Sequence, residues 1–273
     1  MNGFDEFNVD FKTLVETKNK IVTNTLSNIF TMRLVGNKTH GDLAEIGITE
    51  FINLFMQNYS ATHVGKNLFR AKKREEDIVI QNNKTGIEFP VSLKAYGNGP
   101  LQLSTDSSQK LFPYLESLGK VITGKENIQS VFNSSAFDDF LQINMMSFIY
   151  DEKQKKCNIM VFDYKKAKED THKIVYINGG RGRKHPVYIF LNKQNGYICE
   201  VRYGGASANA LQRGLWTNTK NAVDYFQSIT NGWMDYSHNY SLVNLFRLAL
   251  NASENCHEKI NSILMEDIIS INN

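Results

Sequence analysis

The chain has 273 residues, of which 41% are hydrophobic and 22% charged, and it carries a net charge of +3. This is the composition of an ordinary globular protein long enough to bury a sizeable core, and so mild a charge names no partner. The longest apolar runs, such as 87–93, are too short to span a bilayer, and the acidic start MNGFDEFNVDF lacks a signal's apolar stretch, so neither a membrane span nor a secretory signal is expected and the expected location is the cytoplasm.

Residues 11–34 read as a first helix with few breakers. A second helix is expected from Thr39, an N-cap with Asp42 three residues on. Its apolar stripe is Ala44, Ile48, Phe51, Ile52 and Phe55, at helical spacing. Two strands follow, 77–80 and 87–96, joined by the turn-forming QNNKTG as a hairpin. A further helix is expected after Ser104, toward Leu118. Five β-like runs come next, at 144–150, 157–162, 173–177, 187–191 and 197–203, separated by polar turns such as DEKQKK and NKQNG. Helix returns at 222–229, 242–250 and in a tail from Glu258. With four prolines and neither linker nor internal repeat, residues 1–273 read as one compact α/β unit, a mixed sheet flanked by helices with a meander in its second half.

The three cysteines, Cys157, Cys199 and Cys256, form no Cys-x-x-Cys pair, and are expected as buried reduced thiols. The six histidines show no paired metal spacing and are expected at the surface or in the core. Neither a nucleophile elbow nor a P-loop occurs.

The stretch that carries chemistry is 75–96, EEDIVIQNNKTGIEFPVSLKAY. Alternation along the second strand sends Ile87, Phe89, Val91 and Leu93 to a core and Glu88, Pro90, Ser92 and Lys94 to the opposite face. A hairpin can then bring Asp77 to Lys94. A carboxylate and a lysine so placed suit phosphodiester hydrolysis: magnesium takes one or two carboxylates plus water and phosphate, and a nearby lysine orients water or offsets charge.

Asp77, the spacer, and Ser92-x-Lys94 resemble the PD-(D/E)xK nuclease superfamily, which holds most type II restriction enzymes. In that pattern an acid begins one strand and acid-x-Lys lies on the next. This chain departs from it at Ser92, where the second acid normally stands, as in Ser-x-Lys members whose missing carboxylate comes from elsewhere. Glu45 on the preceding helix, beside Ile52 and Met56 on a helical wheel, is the first choice for that carboxylate and Asp106 the second. Order and motif cover 36–165, including SLKAYGNGPLQLSTDSS, which looks like the loop after the catalytic strand. The resemblance implies a restriction-endonuclease-like core and Mg2+-dependent cleavage of double-stranded DNA. Asp77 and Glu45 would hold metal and Lys94 would assist the water. It also allows a homodimer on a palindromic site.

Residues 166–220 read as a β-rich DNA-recognition region, with 221–273 a helical C-terminal part. In NGGRGRKHP, Arg181, Arg183 and Lys184 can bind phosphate or read guanine, with His185 beside them. In 201–219, a loop expected to lead into a helix, Arg202, Asn209, Gln212 and Arg213 offer guanine- and adenine-reading groups. The competing expectations are a non-catalytic DNA-binding protein, favoured by Ser92, and a repair or defence nuclease without a fixed site.

Overall fold

The structure, a computed structural model, describes residues 2–35, 42–64, 77–97, 99–106, 109–141, 143–151, 153–179, 185–203 and 213–239. They fall into two compact units, one within Met1–Ala95, Ser147–Ile159 and Ile229–Asn273, the other within Tyr96–Met146 and Met160–Ser228. Both mix helix and sheet, as the α/β reading expects. None of the described helices is long and apolar enough to cross a membrane.

The first unit opens with α1 (Gly3–Thr17), α2 (Asn19–Val35) and α3 (Asp42–Phe55). A helix starts well before residue 11 because Asn2 caps it, its side chain accepting the Asp5 N–H at 2.8 Å. Phe4, Phe7, Phe11 and Val15 then recur along one buried face. The expected single helix breaks at Lys18 into α1 and α2. In α3 the stripe Ala44, Ile48, Phe51 and Ile52 is buried, and Phe55 stacks on Phe51 at 4.8 Å. Gly47 lets α2 approach α3, since a Cβ there would lie 3.1 Å from Ile29.

Beside these helices runs an antiparallel ladder of β1 (Tyr59–His63), β2 (Ile78–Asn82) and β3 (Glu88–Tyr96), continued by β6 (Met145–Asp151) and β7 (Lys156–Phe162). A two-residue strand, β13 (Met234–Asp235), pairs with the start of β7. Phe7 ties helix to sheet, its ring 5.2 Å from Tyr59 and 5.9 Å from Phe89. β1 is an edge strand, and an open edge invites pairing with another chain. Asn53 of α3 closes this one. Its amide donates to the Ala61 carbonyl at 3.1 Å and its oxygen accepts the Ala61 N–H at 2.7 Å. The clasp also fixes how α3 lies along β1.

The second unit is built on a six-stranded sheet, ordered β4 (Pro100–Ser104), β11 (Gly214–Asn218), β10 (Tyr197–Arg202), β9 (Val187–Leu191), β8 (Lys173–Ile177), β5 (Val121–Thr123). Helices α4 (Leu111–Leu118), α5 (Lys125–Phe132), α6 (Asp138–Leu141), α7 (Tyr164–Asp170) and α8 (Thr219–Tyr225) belong to the same unit. Its core joins Phe112 to Tyr188 and Phe132 and Phe137 to Phe190, with ring separations of 5.2, 5.6 and 6.1 Å. The strands expected at 173–177 and 187–191 form as read. Two segments read as loop are strands instead. Residues 100–104 pair with 214–218, and the expected helix at 222–229 starts at Thr219 and gives way to β12 (Phe226–Ser228). The helices expected at 242–250 and from 258, and the helix start at Thr39, lie outside the described residues.

Candidate active site and recognition face

The expected hairpin is present, with Ile78 opposite Val91 and Ile80 opposite Phe89. All four side chains are buried and pack toward the core. Asp77 lies just before the first register pair, and its side chain meets that of Ser92, the residue after Val91. Backbone bonds hold Asp77 from both sides: its N–H donates to the Val91 carbonyl at 3.2 Å, and its carbonyl accepts the Val64 N–H at 3.0 Å. The pleat therefore turns Asp77, Ser92 and Lys94 to one face, with Lys94 diagonal to Asp77, a separation of roughly 7–8 Å between such positions. The sequence alternation is thus realised from Phe89 to Ser92, while Leu93 is only half-buried and Ile87, also assigned to the core side, is 50% exposed at the turn.

Asp77 is held by neutral donors. Its Oδ2 accepts the Ser92 hydroxyl at 3.1 Å and the Leu93 N–H at 2.6 Å. Both bonds fall on Oδ2, and among the described residues Oδ1 accepts no hydrogen bond. Ser92, at the altered acidic position, anchors the acid across the hairpin.

Glu45 projects from α3 to β1, where its carboxylate meets Nε2 of His63 at 3.1 Å. Both side chains are about one-fifth exposed, at 21% and 20%. His63 is the register partner of Ile78, the residue after Asp77, so Glu45 reaches the strand next to the one that Asp77 begins. His63 was not singled out from the sequence, because β1 carries no clear strand signal and the histidines lack metal spacing. Its place one strand from an acid at a strand start is the feature that marks it.

Asp106 is differently employed. Its Oδ1 and Oδ2 accept the N–H groups of Lys110 and Leu111 at 3.2 and 3.0 Å, capping α4, and its side chain is buried in the second unit. Among the described residues no three His, Cys, Asp or Glu side chains are grouped closely enough to hold a metal by themselves. A magnesium ion needs only one or two carboxylates with water and phosphate, and Asp77 offers one, whereas Glu45 meets His63 on the face that Ile78 shares, the side of the sheet away from Asp77.

In the second unit, Arg202 ends β10 and Arg213 precedes β11, its carbonyl accepting the Gln102 side chain at 3.0 Å. Arg202 pairs with Glu200 at 2.5 Å, and its guanidinium lies 4.2 Å from the centre of the Trp216 ring. Arg181, Arg183, Lys184, Asn209 and Gln212 lie outside the described residues. The strand ends on either side of them are described. Ile177 opposes Val187, Val187 opposes Arg202, and Arg202 opposes Gly214, so both connections leave from one end of the sheet. His185 and Tyr203 meet at that end, ring centres 6.4 Å apart.

A polar cleft of about 600 Å3 lies elsewhere in this unit, against the end of α7 and the β9–β10 turn. Its Lys166 is paired with Asp170 at 2.9 Å and sits over the Tyr225 ring. Cys157 and Cys199 are buried, as expected, and burial pushes both thiols up, Cys157 to about 12. Cys256 lies outside the described residues. Comparison of the chain with protein-family models, with curated proteins and with solved structures found no match.

Proposed function

We propose that the chain is a magnesium-dependent endodeoxyribonuclease that cuts duplex DNA at a fixed site, as the PD-(D/E)xK resemblance implies. The observation that carries this reading is the hydrogen bond from Ser92 to Asp77, with Lys94 two residues along the strand from Ser92 and so on its face. Asp77 and Glu45 are the residues that would hold the ion. When bound, the ion supplies charge neutralisation and an activated water. Ser92 and the Leu93 N–H hold Asp77 in one orientation. Lys94 donates to the attacking water or to a phosphate oxygen, offsetting the charge that develops in the transition state. The oxygens of Asp106 cap α4, and Glu45, bonded to His63 on the neighbouring strand, stays the proposed second carboxylate. The basic connections of the second unit, together with Arg202 and Arg213, read the site. A cytoplasmic location and a twofold homodimer on a palindrome accompany this reading.

A second reading, DNA binding without cleavage, draws support from Ser92, which gives Asp77 a hydroxyl where the superfamily pattern has another carboxylate. Incubation of wild type and Lys94→Ala with unmethylated phage DNA, with and without Mg2+, separates the readings. Discrete fragments from wild type alone, and only with metal, support the site-specific nuclease. A smear supports a nuclease without a fixed site. Intact DNA that is nonetheless bound supports the non-catalytic protein.

A further inference from the structure

Glu200 is 1% exposed, and a carboxylate so buried requires a partner. One is Arg202, two residues along the same strand face, which donates its Nε. Across the sheet, Trp216 is the register partner of Glu200 and Gly214 that of Arg202. Gly214 offers no side chain, and none would fit: its φ is +114°, and a Cβ would lie 2.1 Å from the Ser104 carbonyl oxygen. The guanidinium therefore lies over the Trp216 ring, 4.2 Å from its centre, which fixes its plane.

Nε is thus bound and the plane clamped. A guanidinium has five N–H groups, and the Nε bond uses one. Among the described residues Arg202 makes no other hydrogen bond, and its side chain is 27% exposed. Its two terminal amino groups remain as a rigid fork at the sheet end from which the connections holding Arg181, Arg183, Lys184, Asn209 and Gln212 depart.

We propose that Arg202 is a pre-oriented fork that takes two adjacent acceptors of bound DNA, with Glu200 and Trp216 as its positioning residues. This rests on the reading of the chain as a DNA-binding protein. Two acceptors of that spacing occur on the major-groove edge of guanine, O6 and N7, and on a phosphate. The fork differs from a free surface arginine because its geometry is set before DNA arrives, so lysine, a point charge, cannot replace it.

The test uses the full chain, a pool of random-sequence duplexes, and Ca2+ in place of Mg2+ so that bound DNA is kept whole. Bound duplexes are sequenced, and affinity is followed by fluorescence anisotropy at several salt concentrations. Arg202→Lys keeps a cation beside Glu200, so circular dichroism should show it folded. If the fork grips guanine, Arg202→Lys loses the preference for guanine at one position by about tenfold while binding random duplexes nearly as well as wild type. If it grips phosphate, Arg202→Ala weakens all sequences alike and lowers the salt slope by about one. Sequence preference, affinity and salt slope unchanged in both variants would overturn the proposal and leave Arg202 as the counter-ion of Glu200. Wild type that binds no duplex overturns the DNA reading itself, and the fork with it.

Discussion

The two units use one strand geometry to offer opposite charges. In the first, the described donors that fix Asp77 across a hairpin are a hydroxyl and a backbone N–H, both neutral. In the second, Glu200 is neutralised by Arg202, and the group presented outward is a guanidinium. A carboxylate on a strand therefore says little by itself. The charge of the donor opposite it decides whether the site attracts metal or polyanion.

The comparison is broken most severely by removing the cation from the buried pair. Arg202→Ala removes the cation bonded to the buried Glu200, and the expected loss is up to about 3 kcal/mol of stability. Chemical denaturation measures it. Arg202→Lys should recover most of that loss, and a full loss in the lysine variant would show that the guanidinium's own packing matters more than its charge.

Asp77→Asn keeps an acceptor for Ser92 and Leu93 but removes the charge. Stability should change by no more than about 1 kcal/mol, while cleavage should fall by a factor on the order of a hundred or more. Equal effects on folding and cleavage would make Asp77 a structural residue. Asn53→Ala opens the edge of β1 by removing both clasp bonds, with an expected cost of about 1–2 kcal/mol and greater self-association, which light scattering would show.

His63→Gln removes the imidazole from the Glu45 contact at a position about one-fifth exposed, where the expected loss is about 1 kcal/mol. Its melting temperature should therefore stay close to wild type. Terbium luminescence, which reports cation binding without DNA, should weaken if Glu45 needs His63 to stay in place. The smallest effect concerns the thiols. The folded Cys157 holds its proton up to about 12, above its unfolded value, so the folded state binds more protons in alkaline solution. Stability should be unaffected below the unfolded thiol range and decline as the pH rises through it toward 12. Alkylation at mild pH should be slow until the chain unfolds, and fast labelling of native protein would contradict this burial.

The parts legible in the sequence were those where local pattern and tertiary packing agree. Alternation from Phe89 to Ser92 and the helical stripe from Ala44 to Ile52 each reflect a face buried in the structure. The strand at 100–104 was not legible because its partner, 214–218, is more than a hundred residues away, and the glycine that admits the close approach, Gly214, reads locally as a turn former. The break at Lys18 interrupts no periodicity strong enough to reveal it. In the candidate site, Asp77, Ser92 and Lys94 were visible because they share one hairpin. His63 was hidden in a short edge strand, and the double use of Asp106 as a cap depends on backbone N–H groups, which no side-chain pattern displays.

The central claim, that the Asp77–Ser92–Lys94 hairpin performs DNA cleavage, is tested most directly by comparing wild type and Lys94→Ala in binding and in cutting. Both proteins should bind the same duplex in Ca2+ with affinities within about threefold, and on addition of Mg2+ only wild type should release discrete fragments. Cleavage by Lys94→Ala at the wild-type rate would place the chemistry elsewhere in the molecule.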